Sequence, residues 1–158
     1  MEKIALYPGT FDPFTIGHQA VLNKSLKLFD RVVVAIGTNS NKNNMFSMEK
    51  RKAIIEKLYR NDPRVTVDAY DGLTVDYCQK HGISFIVRGL RNTADFTFER
   101  EIEHLNNRLH PDIETIFLTT PLRFSDISSS AVREIIRYGG NPMSMLPREY
   151  DPADLIPE

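Results

Sequence analysis

Five short apolar runs alternate along the chain with segments of helical periodicity, and this alternation narrows the possible folds most. The runs span residues 4–7, 31–37, 64–70, 85–89 and 114–119, and each ends at a glycine, a proline or a polar turn. The run Arg31–Gly37 is apolar after its arginine, as is typical of a strand buried on both faces of a parallel sheet. The pattern predicts a single-domain α/β fold with a doubly wound, five-stranded parallel sheet.

The segments between and after these strands predict five helices. They are expected from near His18 to about Phe29, from a Ser47 cap to Tyr59, from Leu73 to His81 with Gly82 closing it, from Ala94 to Leu109, and from a Ser129 or Ser130 cap to Tyr138. The fourth is amphipathic, and these apolar side chains are available for burial: Phe96, Phe98, Ile102, Leu105 and Leu109. Residues 147–158 contain three prolines and several acids, so we expect a surface tail, partly disordered.

Cationic or potentially cationic side chains follow several of the predicted strands. Right-handed crossovers bring the carboxyl ends of parallel strands to one edge of the sheet, where such folds bind ligands. Arginine forks bind phosphate through two hydrogen bonds, and lysine acts as a point charge. Each side chain alone is best explained as a solvated surface charge, but together they favour a phosphate site: His18, Lys42, Arg88 and Arg91.

Two loops have the composition of anion-binding cradles. In residues 7–18 a strand leads through a loop of small residues into a helix, so free N–H groups and the helix dipole face whatever lies above the strand. Thr10 and His18 add a hydroxyl and an imidazole there. The spacing matches neither G-x-G-x-x-G nor the P-loop. Three serines, Ser128 to Ser130, precede the last helix and form the second candidate cradle.

Composition excludes several classes of protein. A net charge of −1 and a pI near 6.4 argue against a nucleic-acid binder. With 41% hydrophobic and 26% charged residues, disorder is not expected. The one cysteine, Cys78, rules out a disulfide framework within the chain and suits a reducing compartment. Apolar stretches of membrane-spanning length and a signal peptide are both lacking in the sequence, so we expect a cytoplasmic protein.

Three motifs together resemble the nucleotidylyltransferase superfamily, and in particular the bacterial phosphopantetheine adenylyltransferase family. They are Gly9-Thr10-Phe11-Asp12-Pro13 with Thr15-x-Gly17-His18, then Arg88-Gly89-Leu90-Arg91 with Asp95-Phe96 and Glu99, and finally Ile127-Ser128-Ser129-Ser130. Each motif alone is weak to moderate evidence. Their order and spacing over residues 7–130 make the combined resemblance specific.

The resemblance implies a fold and a reaction. It implies a Rossmann-like sheet with strand order 3-2-1-4-5 and a crevice between the first and fourth strands. It implies that ATP and 4′-phosphopantetheine give dephospho-coenzyme A and pyrophosphate, by in-line attack of the acceptor's phosphate on the α-phosphorus. It also implies Mg²⁺ carried with ATP, a homohexamer, and feedback inhibition by coenzyme A. The sequence shows no carboxylate cluster that would serve as a dedicated metal site.

The resemblance also assigns roles by position. His18 and Thr10 would contact the α-phosphate, Lys42 and Arg88 would orient the phosphate of phosphopantetheine, and Arg91 with Ser128 to Ser130 would hold the β- and γ-phosphates. Leu73 and Thr74 would line the pantetheine arm. The remaining candidates for ATP contact are Phe11, Gly89, Leu90, Glu99, Phe124, Ser125, Asp126 and Ile127.

The chain departs from the family pattern around two of these places. Pro121, Leu122 and the stretch Phe124-Ser125-Asp126 differ from the residues usual ahead of the serines, and Asn43-Asn44 differs from those usual after Lys42. These departures concern the contacts to adenine and polyphosphate. Independently of them, two other functions stay open. One is a nucleotidylyltransferase acting on nicotinate mononucleotide or a polyol phosphate. The other is a non-catalytic ATP-binding sensor, which would need only the two anion cradles.

Overall fold

A computed structural model describes residues 1–38 and 43–157. The strands are β1 (Ile4–Gly9), β2 (Arg31–Gly37), β3 (Val65–Tyr70), β4 (Phe85–Leu90) and β5 (Glu114–Thr119). They form one parallel sheet in the order β3-β2-β1-β4-β5. This confirms the predicted α/β class and the strand order that the resemblance implied.

Five α-helices connect or follow the strands. They are α1 (Ile16–Ser25), α2 (Met48–Tyr59), α3 (Thr74–His81), α4 (Thr93–Leu109) and α5 (Ser129–Arg137). Short 3₁₀ turns lie at Leu122–Phe124, Met143–Met145 and Pro152–Leu155. Gly82 ends α3 in the left-handed conformation (φ 66°), as the sequence predicted.

The two central strands separate at the carboxyl edge of the sheet. β1 pairs with β2 along its whole length, from Ile4 opposite Arg31 to Gly9 opposite Ile36. It pairs with β4 only at Ala5 and Leu6. Strand order reverses between β1 and β4, so their separation after Leu6 opens a crevice where an α/β sheet binds its ligands.

The core has a layer on each face of the sheet and a third cluster beside it. α1 and α2 bury Val21, Leu22 and Ile55 on one face, and α3 buries Val75 and Cys78 on the other. The third cluster lies among α2, α5 and the C-terminal segment, and contains Phe46, Ile54, Val132, Leu146, Tyr150 and Leu155.

Two helices, α1 and α5, differ from the predictions at their ends. α1 begins earlier, because Thr15 accepts from the His18 N–H as N-cap, and it ends at Ser25 rather than near Phe29. The prediction that Ser129 or Ser130 caps the last helix is wrong. Ser128 is the N-cap and accepts from the Ala131 N–H at 3.0 Å. Ser129 donates instead to the Pro13 carbonyl at 2.8 Å, so its hydroxyl is used in a tertiary contact.

α4 leaves its apolar side chains uncovered in the single chain. The five residues that the sequence made available for burial are 37% to 63% exposed, and Glu99 is the helix's one buried residue. The Phe96 ring does meet the Phe117 ring edge-on, at 5.8 Å between centroids. The helix therefore packs on the sheet through few side chains and presents an apolar face outward.

The C-terminal segment after Pro147 is mostly exposed but has two anchors. Tyr150 and Leu155 are 5% and 8% exposed and belong to the third core cluster. Asp154 pairs with Lys57 of α2. Spacing does not reveal these anchors, because each apolar residue stands alone between prolines and acids.

Candidate active site

The segment from the end of β1 to the start of α1, residues 8–15 (the site loop), is held through its backbone oxygens by side chains from elsewhere in the chain. Five carbonyls each accept one such bond: Pro8 from Arg88 (2.6 Å), Thr10 from Arg51 (2.8 Å), Asp12 from Arg133 (2.7 Å), Pro13 from Ser129 (2.8 Å) and Phe14 from Tyr150 (2.7 Å). Buried carbonyls require partners of this kind. The donors come from α2, β4, α5 and the C-terminal segment, so the loop's shape depends on most of the molecule.

Asp12 ties the site loop to the segment that follows β2. Its carboxylate is 2% exposed and accepts from the backbone N–H groups of Met45 (2.8 Å) and Phe46 (2.9 Å). Arg51, also buried, donates both to the Phe46 carbonyl (3.0 Å) and to Thr10. These contacts fix the backbone at Met45 and Phe46. Lys42, a predicted site residue, lies outside the described residues.

Two cavities open at the carboxyl edge and share a wall. The small cavity has a volume of about 300 Å³ and the large cavity about 600 Å³. Pro8, Gly9, Thr10 and Arg88 line both. A group in one cavity therefore meets a group in the other at the end of β1, above the gap between β1 and β4.

His18 lines the small cavity as a neutral imidazole of fixed orientation. Its Nδ1 accepts from the Thr15 N–H at 2.9 Å, so the proton of the neutral ring lies on Nε2. The rings of Phe11 and Phe14 lie 5.0 and 5.5 Å from the His18 ring between centroids. Burial, followed by the charges of Arg88 and Arg91, lowers the pKa of His18 to about 3. The side chain thus offers one N–H donor near neutral pH and carries no charge.

Phe11 supports this arrangement at a conformational cost. Its φ is +50°, a region that residues with side chains rarely adopt. Its ring is 3% exposed and packs edge-on against Tyr7, 5.2 Å away between centroids. Burial of the ring and the anchored carbonyls on either side keep the residue in this conformation.

Arg88 spans the gap between the two central strands and is aligned by Glu99. The Nε and Nη2 of Arg88 donate to the two carboxylate oxygens of Glu99 at 2.8 and 2.6 Å, and Nη1 donates to the Pro8 carbonyl. Three of the five guanidinium N–H groups are thereby used. The other two, one on each Nη, have no hydrogen-bond partner within residues 1–38 and 43–157, so they are available to donate to a phosphate.

Gly89 allows α1 to lie close to β4. A Cβ built at this position would be 2.7 Å from the Val21 Cγ2, nearer than packed carbon atoms come. Gly89 and Val21 both line the small cavity. The glycine is therefore required by the close approach of helix to strand, whether or not it touches a ligand.

The structure brings most of the predicted site residues to these cavities. The small cavity contains Thr10, Phe11, His18, Gly89, Arg91, Ile127, Ser128, Ser129 and Ser130, and the large cavity contains Thr10, Thr74, Arg88 and Glu99. Arg91 is oriented by Asp95, which accepts from its backbone N–H (2.9 Å) and its Nε (3.2 Å). Ser130 accepts from Arg133 at 3.2 Å.

Other predicted residues lie outside the small cavity. Leu90, Phe124, Ser125 and Asp126 line neither cavity, and the Phe124 ring is covered by the guanidinium of Arg123 at 4.6 Å. Leu73 is the 54% exposed N-cap of α3 and also lines neither cavity. Glu99, predicted near ATP, is in the large cavity and not in the small one.

Several residues of the site were not singled out from the sequence. Tyr70 lines the large cavity, and its hydroxyl lies 2.7 Å from the Thr74 hydroxyl. Phe98, Ile102 and Asn106 of α4 form the opposite wall. Helical spacing marked Phe98 and Ile102 for burial but not as a binding wall, and it did not mark Asn106. The donors to the site loop, Arg51, Arg133 and Tyr150, carry no comparable signal.

Two structural findings concern other possible sites. Within the described ranges, no group of three or more His, Cys, Asp or Glu side chains is arranged to hold a metal ion. None of the helices that the structure describes is long and apolar enough to span a membrane.

Comparison with known proteins gives consistent results. A sequence model of the cytidylyltransferase-like family matches residues 6–135. The phosphopantetheine adenylyltransferase of Flavobacterium psychrophilum is 50% identical over 143 residues, covering 90% of this chain and 94% of its own. Proteins with the same name from Flavobacterium johnsoniae (48% over 143 residues; 90% and 93%) and Anaeromyxobacter sp. strain K (44% over 147 residues; 93% and 90%) are also similar.

One solved structure shares the fold at low sequence identity. It is a bifunctional NMN adenylyltransferase/ADP ribose pyrophosphatase from Francisella tularensis, complexed with AMP and a manganese ion. The match has a TM-score of 0.69 at 20% identity, and covers 92% of this chain and 44% of that one. At this identity the match supports the fold alone.

Proposed function

Because the chain belongs to the cytidylyltransferase-like family and, within it, to the phosphopantetheine adenylyltransferases, we propose that it transfers the adenylyl group of ATP to 4′-phosphopantetheine. The products are dephospho-coenzyme A and pyrophosphate. The observation that carries the proposal is the pair of cavities that meet at Thr10 and Arg88. Such a pair suits two phosphate-bearing substrates whose reacting groups must come together.

The nucleotide is proposed to occupy the small cavity. Residues at the N-terminus of α1 and the serines at the start of α5 line this space, and helix N-termini supply the free N–H groups that bind a polyphosphate. We assign Arg91 and Ser128 to Ser130 to the β- and γ-phosphates. Phe11, Gly89 and Ile127 complete the walls. Contacts from Leu90, Glu99, Phe124, Ser125 and Asp126 to ATP stay predictions.

The chemical step needs no general base from the protein. A phosphate oxygen of the acceptor, already anionic, attacks the α-phosphorus, a new P–O bond forms, and the bond from that phosphorus to the oxygen bridging to the β-phosphate breaks. The electron pair leaves with pyrophosphate. Charge develops on the α-phosphate oxygens, and the His18 Nε2–H and Thr10 are assigned to stabilise it. Positioning of the two phosphates supplies the rest.

The acceptor is proposed to occupy the large cavity. The two remaining N–H groups of Arg88, one on each Nη, would hold its phosphate at the wall shared with the nucleotide. Thr74, beside Tyr70, and the exposed Leu73 at the start of α3 are assigned to the pantetheine arm. Lys42 is proposed as a further phosphate ligand.

Mg²⁺ is proposed to enter with ATP. The described residues provide no cluster of three or more potential metal ligands, and Mg²⁺ commonly keeps its waters and binds through substrate phosphates. When bound, the ion would neutralise charge on the triphosphate. Arg91 and the α5 serines are the groups of this chain placed to hold the same phosphates.

The apolar face of α4 supports a homo-oligomer, for which we propose the hexamer that the resemblance implied. Five large apolar side chains exposed on one helix are unusual for a monomer's surface. Feedback inhibition by coenzyme A is proposed because that molecule contains the pantetheine arm of the acceptor. We place the enzyme in the cytoplasm, where a buried thiol such as Cys78 stays reduced.

Pyrophosphate release from ATP and Mg²⁺ tests the function directly. It is measured with 4′-phosphopantetheine, with nicotinate mononucleotide, and with no acceptor. Release only with phosphopantetheine is the expected result. Release with the mononucleotide would change the substrate and require new roles for Lys42 and Arg88. Binding of ATP without release in any mixture would favour the nucleotide sensor.

A further inference from the structure

Among the described residues, the C-terminal segment is bonded to the site loop through Tyr150. The Tyr150 hydroxyl donates to the Phe14 carbonyl at 2.7 Å, across 136 positions of sequence. Both side chains are buried, Tyr150 at 5% exposure and Phe14 at 1%. Because the interior excludes water, this carbonyl has no ready substitute for the tyrosine hydroxyl.

Phe14, held by the bond from Tyr150, contacts His18 in two ways. Its ring lies 5.5 Å from the imidazole between centroids. Its carbonyl belongs to the peptide unit whose N–H, that of Thr15, donates to the His18 Nδ1 at 2.9 Å. The bond from Tyr150 therefore holds one end of a peptide plane whose other end fixes the orientation and protonation of the imidazole.

The segment itself is attached on its far side. Asp154 pairs with Lys57 of α2, Lys50 donates to the Ile156 carbonyl, and Leu155 is buried in the third core cluster. Phe46 lies in the same cluster, and its N–H is one of the two that the Asp12 carboxylate accepts. Tyr150 thus belongs to a packed cluster that also contacts the site loop through the Phe46 N–H.

We propose that Tyr150 is a positioning residue for adenylyl transfer, acting through the Phe14 carbonyl and the Thr15 N–H on the orientation of His18. This inference rests on the proposed function. A donor aimed at a transition state loses effect with small displacements, whereas ground-state binding of the phosphates has many other contacts. Loss of the hydroxyl should therefore lower kcat and leave both KM values nearly unchanged.

The test compares Tyr150→Phe with Tyr77→Phe. Both variants remove a hydroxyl that makes a 2.7 Å hydrogen bond, but the Tyr77 hydroxyl donates to Asp68 and lines neither active-site cavity. For Tyr150→Phe we expect kcat to fall about tenfold, with KM for ATP and for phosphopantetheine within about twofold. Tyr77→Phe should leave all three constants within about twofold of wild type.

A double-mutant cycle separates positioning from general loosening. In a His18→Ala background, Tyr150→Phe should cause little further loss, since the group that it positions is gone. If the two losses multiply, or if Tyr77→Phe lowers kcat as much as Tyr150→Phe, the proposal is overturned.

Amide hydrogen exchange tests the same inference without substrate. Peptides covering residues 9–18 should exchange faster in Tyr150→Phe than in wild type or Tyr77→Phe, and unchanged exchange there would contradict the proposal. If the wild-type protein shows no acceptor-dependent pyrophosphate release, the proposed function fails. The exchange result still decides whether Tyr150 holds the loop.

Discussion

The two cavities share a wall and differ in how firmly their other walls are held. Around the small cavity, backbone oxygens and side chains are tied to distant parts of the chain, and the His18 imidazole is fixed in orientation and protonation. The large cavity has α4 as one wall, with a single buried residue and an exposed apolar face. Rigidity is concentrated where charge is proposed to develop, and the α4 wall of the proposed acceptor site is held by few contacts among the described residues.

The largest expected effect on kcat comes from removing the His18 N–H donor in the small cavity. His18→Ala should lower kcat by more than about a hundredfold and leave the affinity for ATP within a few-fold, because the contact is assigned to the transition state. Steady-state kinetics with a direct ATP-binding measurement would show this split. Lost ATP binding with normal turnover at saturation would contradict the assignment and the contrast between the cavities.

An intermediate effect is expected at the shared wall. Glu99→Gln removes the charge that aligns Arg88, so KM for phosphopantetheine should rise about tenfold and KM for ATP less than about threefold. Glu101→Gln, an exposed position on the same helix, is the matched control and should change neither. An equal rise in both KM values for Glu99→Gln would place Glu99 with the nucleotide, as the resemblance first suggested.

A smaller effect on kcat is expected from a change on the exposed apolar face of α4. Leu105 is 60% exposed on the apolar face of α4, and Leu105→Asp should convert the oligomer to smaller species in sedimentation velocity. Asn61→Asp, at an exposed position after α2, adds the same single negative charge away from α4 and serves as the control. kcat should fall only a few-fold, since the small cavity is built within one chain. An unchanged mass would show that this face is not the interface.

The last expected effect is on stability and not on turnover, and it is a dependence on pH. The pKa of His18 is lowered from 6.5 to about 3 in the folded chain. Between these values the unfolded chain binds the proton and the folded chain does not, so the free energy of unfolding falls as the pH falls below about 6.5. For each pH unit below about 6.5, the free energy of unfolding of His18→Gln should fall by up to about 1.4 kcal/mol less than that of wild type. Denaturant titrations at several pH values measure the difference. If the free energy of unfolding changes equally with pH in both proteins, the His18 imidazole is hydrated in the small cavity and its pKa is not lowered.

The fold and the position of the site could be predicted from sequence because both follow from local patterns. Apolar runs separated by helical segments imply parallel strands, and parallel strands bring His18, Arg88 and Arg91 to one edge. Glycine placement also had local signals, as at Gly82. The small error at Ser128 arose because three adjacent serines are equally good caps, and only the contact of Ser129 with Pro13 distinguishes them.

What could not be predicted depends on contacts between distant residues. Asp12 binds N–H groups 33 and 34 positions away, and Tyr150 binds a carbonyl 136 positions away. A lone acid in a turn or a tyrosine in an acidic tail has no periodicity to reveal it. The exposure of the apolar face of α4 could not be predicted for a different reason. Its apolar spacing is clear, but spacing does not say whether the same chain or another surface covers it.

The anchoring of the site loop by its carbonyls determines where the loop's shape is encoded. Main-chain oxygens are present whatever the side chain, so the loop's own sequence supplies only part of its conformation. The rest resides in Arg51, Arg88, Ser129, Arg133 and Tyr150. Residues 8–15 grafted alone onto another α/β scaffold would keep their sequence but would not adopt the same backbone conformation. A successful graft would have to transfer the five donors as well.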